Sequence, residues 1–247
     1  MKKFVPCFFV LLLCVCIIKV NAQTAVTATP PKVYRMPKLD EHSLIRDSSG
    51  KRYEYTAWSS MVSSGRYGVK VATLPNEKPS LIIGRLNKAE RDEAMTKLPK
   101  PPESPFFKTG EPFKHFSSPD ITGQPIDTKQ LAGKIIVLSF YYINNNMSRR
   151  QIPDLNELVE TYKGDPNIVF IAIAMDDKEA LQEFLQSTPF KYRHVEKGKS
   201  ITSRYDIKSH PTDVVIDKAG KVQFHTTGYS PATYYWIAKT IDQIKAS

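Results

Sequence analysis

Asn145 and Ser148 stand three residues apart, with Arg149 directly after them and Pro153 four residues further on. An i, i+3 spacing at a helix start puts two side chains on one face, beside backbone N–H groups that lack intrahelical partners and carry partial positive charge. One chemistry open to such a place is anion or carboxylate binding, with Asn145, Arg149 and a His210 brought near by the fold as donors. A second is a hydrolytic relay of Ser148, His210 and a carboxylate, but no Gly-x-Ser-x-Gly elbow surrounds Ser148, and a hydroxyl just inside a helix can bond backbone instead. The plainest use is capping: Asn145 or Asn146 closes the helix and Arg149 faces solvent. Metal chemistry finds no frame, since His42, His115, His194, His210 and His225 show no i, i+4 ligand pair and Asp176-Asp177 suits a helix cap. Tyr234, Tyr235 and Trp236 read as packing residues of a late helix.

The elements that must position these residues are legible on either side. Ile135 to Phe140 is a continuous apolar, β-branched run, which predicts a strand buried on both faces, and Ile152, Leu155, Leu158, Val159 and Tyr162 give the following helix its apolar stripe. Asn167 to Met175 predicts a second buried strand and Lys178 to Gln186 a helix, so the two strands pair in parallel across a helical crossover. His210-Pro211-Thr212 then introduces a strand through Asp217, a turn at Lys218 to Lys221, a hairpin strand at Val222 to His225 and a last helix from Ala232 to Ile244. Before all of these, Phe113 to Ile126 predicts a hairpin turning at Thr122-Gly123. The fold class is α/β.

Three of these stretches together resemble the thioredoxin-fold, TlpA-like thiol-disulfide oxidoreductases. Phe140-Tyr141 stands where that family has Phe-Trp, Arg149 where it has a basic residue, and Pro153 fixes the register; Gly133-Lys134 matches the entry to the strand, and Pro211-Thr212 with Ile216-Asp217 matches Pro-Thr-x-x-x-Ile-Asp. The resemblance covers about Phe113 to Ile244 and implies a central mixed sheet flanked by helices, with Pro211 in the cis form beside the helix start. It also puts Asn145 and Ser148 on the two positions of the family's Cys-x-x-Cys motif. Neither residue can form a thiolate or a mixed disulfide, so the resemblance implies a redox-inactive relative with no catalytic residue, no metal and no cofactor. Since the family binds substrate as an extended strand along the cis-Pro loop, it implies a protein or peptide partner contacting Tyr141, Asn145, Asn146, Met147, Ser148, Arg149, His210, Pro211 and Thr212. The alternatives are the family's own thiol-disulfide or redoxin-type antioxidant chemistry, or partner binding by the N-terminal module.

That module is one of five expected segments in 247 residues: a signal peptide at 1–22, a flexible stretch at 23–32, a small β-rich module at 33–98, a Pro-rich linker at 99–112 and the thioredoxin-like domain at 113–247. Lys2 and Lys3 precede an apolar run from Phe4 to Ile18 that is short for a membrane span, and Val20-Asn21-Ala22 fits a cleavage site. Cys7, Cys14 and Cys16 are the chain's 3 cysteines and all fall in this leader. Export, with the periplasm as destination, is therefore expected, and membrane contact only through the leader. With Lys2, Lys3 and Lys19 removed, 32 basic face 25 acidic residues without a long basic run, which argues against a nucleic-acid partner. Within the module, Ser43 to Ile45, Tyr53 to Met61, Tyr67 to Leu74 and Leu81 to Leu86 read as strands, and Asn87 with Glu90 as a capping box opening a helix to about Lys97.

Overall fold

The computed structural model describes residues 36–72, 78–196 and 198–247; the predicted leader, the 23–32 stretch, the start of the predicted module at 33–35 and the end of the predicted strand Tyr67 to Leu74 lie outside them. The N-terminal elements are β1 (Ile45–Arg46), β2 (Arg52–Tyr53), α1 (Tyr55–Ser63), β3 (Tyr67–Ala72), β4 (Ser80–Arg85) and α2 (Lys88–Thr96). Their sheet has the order β2-β1-β4-β3, with β1 parallel to β4 and the other pairs antiparallel. Ile45, Trp58 and Ile83 form its buried centre.

One expectation is overturned here. Tyr53 to Met61 is not a strand: the chain is helical from Tyr55, because Trp58, Met61 and Val62 recur at i, i+3 and i+4 and turn one stripe onto the sheet. An extended chain would have alternated Thr56 and Ser60 with Trp58 on the same buried face. The module is therefore mixed α/β rather than β-rich. The capping box at α2 is present as read: Asn87 Oδ1 accepts from the Glu90 N–H at 2.9 Å, and Glu90 Oε2 accepts from the Asn87 N–H at 3.0 Å.

The second part contains β5 (Ser117–Pro119), β6 (Pro125–Asp127), β7 (Ile135–Tyr141), α3 (Asn146–Thr161), β8 (Ile168–Ala174), α4 (Lys178–Ser187), β9 (Arg193–Val195), α5 (Lys199–Arg204), β10 (Thr212–Ile216), β11 (Val222–Thr227) and α6 (Thr233–Ala246). A five-stranded sheet runs β11-β10-β7-β8-β9, with β7, β8 and β9 parallel and β10 antiparallel to both its neighbours. Every residue of the central β7 is buried, so its side chains supply both faces of the sheet. Ile135, Val137 and Tyr141 pack with α3, α4 and α6, while Ile136, Leu138 and Phe140 pack with α5 and the β5–β6 hairpin. That double burial is why the stretch reads as an unbroken apolar run.

Three hairpin turns share one device. Asp47, Asp120 and Asp217 each accept at the side chain from the N–H two and four residues on, and at the carbonyl from Gly50, Gly123 and Gly220, whose φ values of +88°, +87° and +77° only glycine adopts freely. The Pro-rich segment is also put to use. Gly110 N–H donates to Val222 O at 2.7 Å, Val222 N–H to Glu111 O at 3.0 Å, and Thr226 Oγ1 to Pro102 O at 2.8 Å. The segment thus lies along the outer edge of β11 and occupies backbone groups that an open sheet edge would present to another chain.

Candidate functional site

Helix α3 begins where β7 leaves the sheet, and Asn145 is its N-cap. Asn145 Oδ1 accepts from the Ser148 N–H at 2.8 Å, while its Nδ2 donates to the His210 carbonyl at 3.3 Å. One side chain thus closes the helix and ties it to the loop before β10. Between the two sequence alternatives the cap is Asn145, and Asn146 is exposed. The His210–Pro211 peptide is cis. The strand-end acids divide the work: Asp177 caps α4 through the Ala180 N–H, and Asp176 Oδ2 instead accepts from the Ile143 N–H at 2.9 Å, bracing the loop ahead of α3.

The nine residues expected at a binding surface separate into two groups. Asn146, Met147 and Arg149 are exposed, with Met147 55% accessible, and Asn145 and His210 are half-buried. Tyr141, Ser148, Pro211 and Thr212 are buried and present no side-chain surface to a partner. For Tyr141 the reason is its position as the last residue of β7, pointing into the core: its hydroxyl donates to His194 Nδ1 at 2.9 Å, and His194 Nε2 donates to the Phe190 carbonyl at 2.8 Å. A carbonyl can only accept, so the proton sits on Nε2 and Nδ1 is the acceptor. Burial pushes the Tyr141 phenol up and the His194 imidazole down, so the pair is neutral. Thr212 Oγ1 donates to Ser209 O at 2.8 Å, which shapes the loop.

No Ser148–His210 relay forms. Among the described residues Ser148 Oγ and His210 Nε2 each lack a hydrogen-bond partner, and both atoms are buried. His210 packs edge-on against Tyr142 at 5.5 Å, and burial lowers its pKa against the opposing influence of Asp176. The exposed rim that remains comprises Asn144, Asn146, Met147, Arg149 and Arg150, with Tyr142, Ile143 and His210 half-buried beside it. The Arg149 guanidinium lies 5.7 Å from the Phe184 ring, and Arg150 Nη2 donates to Ser63 Oγ at 2.8 Å.

Beneath this rim sits a polar layer that sequence reasoning missed. Gln151, one turn past Ser148 on the sheet-facing side of α3, donates from Nε2 to Ser139 Oγ and to Asp213 Oδ1, both at 3.4 Å. All three residues are buried. The available signal was Asp213 itself, a charged residue inside the apolar strand Thr212–Ile216. Also unforeseen was Arg91, which reaches from α2 to Asp154 and Glu157 on α3 at 2.7 and 2.6 Å, with its guanidinium 3.6 Å from the Tyr234 ring.

The fold has counterparts in known proteins. A sequence model of the AhpC/TSA family matches residues 109–225. The thiol-disulfide oxidoreductase ResA of Bacillus cereus is 31% identical over 118 residues, which are 47% of this chain and 68% of that protein. The chain belongs to the ResA-type thiol-disulfide oxidoreductase family. Another ResA, from Halalkalibacterium halodurans, is 27% identical over 124 residues, 49% of this chain and 70% of that one. Among solved structures, one described as a thiol:disulfide interchange protein DsbE from Chlorobium tepidum superposes with a TM-score of 0.52 at 22% identity, covering 56% of this chain and 98% of that one. One described as a protein disulfide isomerase from Bacteroides thetaiotaomicron gives 0.50 at 22% identity, covering 56% and 89%. These two carry the thioredoxin-like fold. The AhpC/TSA match falls on the second half of the chain, and the sheet of β1 to β4 with α1 and α2 lies outside it.

Proposed function

We propose that this ResA-type protein is exported, does no thiol chemistry, and binds a protein or peptide partner on the rim around the start of α3. The observation that carries the reading is the double engagement of Asn145. At the place where the family resemblance expects a reacting sulfur, this side chain caps α3 and holds the His210 carbonyl, so it serves the loop's shape rather than a reaction. The sequence has no cysteine after Cys16, and the basic-then-apolar pattern of 1–22 supports export to the cell envelope.

The rim has the make-up of a contact surface. Met147 is a flexible, polarisable side chain held out to solvent, flanked by the Asn146 amide and two guanidiniums, with Tyr142 and His210 as a half-buried aromatic floor. A partner laid across it gains one apolar anchor and several charge-assisted hydrogen bonds, and needs no sulfur.

The test uses chain from residue 23 onward. It should show no insulin-disulfide reduction and no thiol-dependent peroxidase turnover above buffer, and titration with a panel of extended peptides should shift backbone resonances at 142–149 and 210. A Met147→Glu and Arg149→Glu double change should weaken the tightest peptide at least about tenfold, the loss of one anchor and one charge-assisted contact. Turnover in either assay, or peptide shifts confined to residues 36–98, would reject the reading.

A further inference from the structure

Asp213 is fully enclosed between layers: Ser139 faces it from β7, Gln151 from α3, Thr226 opposes it on β11, and the Tyr192 phenol lies close enough to be influenced by its charge. Tyr192 is itself held neutral by burial. Thr226 Oγ1 is engaged with Pro102 O. No Lys, Arg or His figures among the influences on the Asp213 carboxyl, which are burial first, then hydrogen bonds from Ser139 and Gln151. An ionised carboxylate in that setting has neither water nor a counter-charge.

Two orphaned atoms lie on the same pair of side chains. Gln151 Oε1 and Asp213 Oδ2 are both buried and both lack a partner among the described residues, although Gln151 Nε2 and Asp213 Oδ1 are within 3.4 Å of one another. Two acceptors cannot satisfy each other, but an acid hydroxyl and an amide carbonyl can. We infer that Asp213 is a proton-binding site: as a neutral acid it donates from Oδ2 to Gln151 Oε1 while accepting at Oδ1 from Gln151 Nε2, a two-bonded acid–amide pair that ties the site helix α3 to β10. Loss of the proton to solvent base removes one of the two bonds and sets a bare carboxylate oxygen against an amide oxygen in a dry layer. Contact between α3 and the strand leaving the His210–Pro211 loop is then weakened from below. The inference holds whether or not the rim binds a partner.

Burial pushes the Asp213 carboxyl up to about 7 from its ordinary 3.8. Between those values the folded chain holds a proton that the unfolded chain has released, so this group's contribution to stability falls as pH rises from about 4 to about 7 and is constant above. Asp213→Asn supplies a permanent donor at the same place. In thermal unfolding of the purified protein, the wild type should lose at least about 5 °C in Tm between pH 5 and pH 8 relative to Asp213→Asn. Independently, the side-chain carboxyl carbon of Asp213 in the wild type should carry the chemical shift of a protonated acid at pH 5.5 and titrate on approaching pH 8. Parallel Tm profiles for the two proteins, or an ionised Asp213 carboxyl at pH 5.5, would overturn the inference. Should Asp213→Asn fail to fold, the wild-type carbon shift decides alone.

Discussion

Truncating Arg91 to Ala should destabilise the protein by about 3–5 kcal/mol, the range for removing one partner of a buried ion pair. Arg91 is only 2% exposed, and Asp154 3%. Burial outweighs both nearby arginines and holds the Asp154 carboxyl above its usual range, which means that its ionised form depends on Arg91 at 2.7 Å for most of the compensation it has. Arg66, at 3.7 Å, is a poorer substitute. The same truncation removes the guanidinium packed on the Tyr234 ring of α6 and leaves Glu157 without its 2.6 Å contact. At the size of this chain the loss corresponds to a Tm lower by roughly 6–20 °C. It should be smaller at pH 5 than at pH 8, because protonating Asp154 relieves an unpaired charge, and smaller again in an Arg91→Met, Asp154→Leu double variant, where neither charge is left buried. Scanning calorimetry of the wild type, Arg91→Met, Asp154→Leu and the double variant gives the coupling energy directly; a value under about 0.5 kcal/mol would show that α2 is held on α3 by packing of Met95 and not by this pair.

This junction also shows which parts of the molecule could be read from residue order. Strand β7, helix α3, strand β8 and the Pro211–Asp217 segment were legible because their burial is set by local pattern: an unbroken apolar run for strands covered on both faces, a 3.6-residue stripe for the helix. The turns at Thr122-Gly123 and Lys218 to Lys221 were legible for the same reason, since side chain, carbonyl and glycine all act within five residues. Helix α1 was not. Its apolar residues are few, and Tyr53 to Met61 satisfies a loose strand pattern until the sheet beside it is known. Arg91 with Asp154, and Gln151 with Asp213, are separated by 63 and 62 residues. Arg91, Asp154 and Gln151 look like solvated polar side chains until tertiary packing removes the solvent, and Asp213 alone stands out, as a charge inside an apolar strand. Tyr141 failed in the opposite direction: the family resemblance put it beside the site, but its strand register aims it at His194 in the core.

The site prediction with the largest effect is a gain. Asn145→Cys with Ser148→Cys should make the chain accelerate the reduction of insulin disulfides by dithiothreitol at least about tenfold over the unsubstituted protein. The physical warrant is local. Position 145 is the N-cap, where the Ser148 N–H now bonded to Asn145 Oδ1 at 2.8 Å would face a sulfur, and a thiolate at a helix N-terminus falls from about 8.5 into the range of about 3.5–7.5. Position 148 is buried, which raises a thiol there and keeps it a poor competitor for attack. The i, i+3 spacing puts the two sulfurs on one face, so the second can resolve a mixed disulfide formed at the first. The change also removes the bond from Asn145 Nδ2 to the His210 carbonyl, at a cost of about 0.5–1.5 kcal/mol, so a Tm loss of a few degrees should accompany the new activity. Thiolate absorbance against pH would locate the titration of the thiol introduced at the N-cap, and iodoacetamide trapping would report the disulfide. If that thiol titrates near the ordinary value of about 8.5, or the oxidised pair forms without catalysing reduction, then the start of α3 does not activate a sulfur even when one is placed at its N-cap.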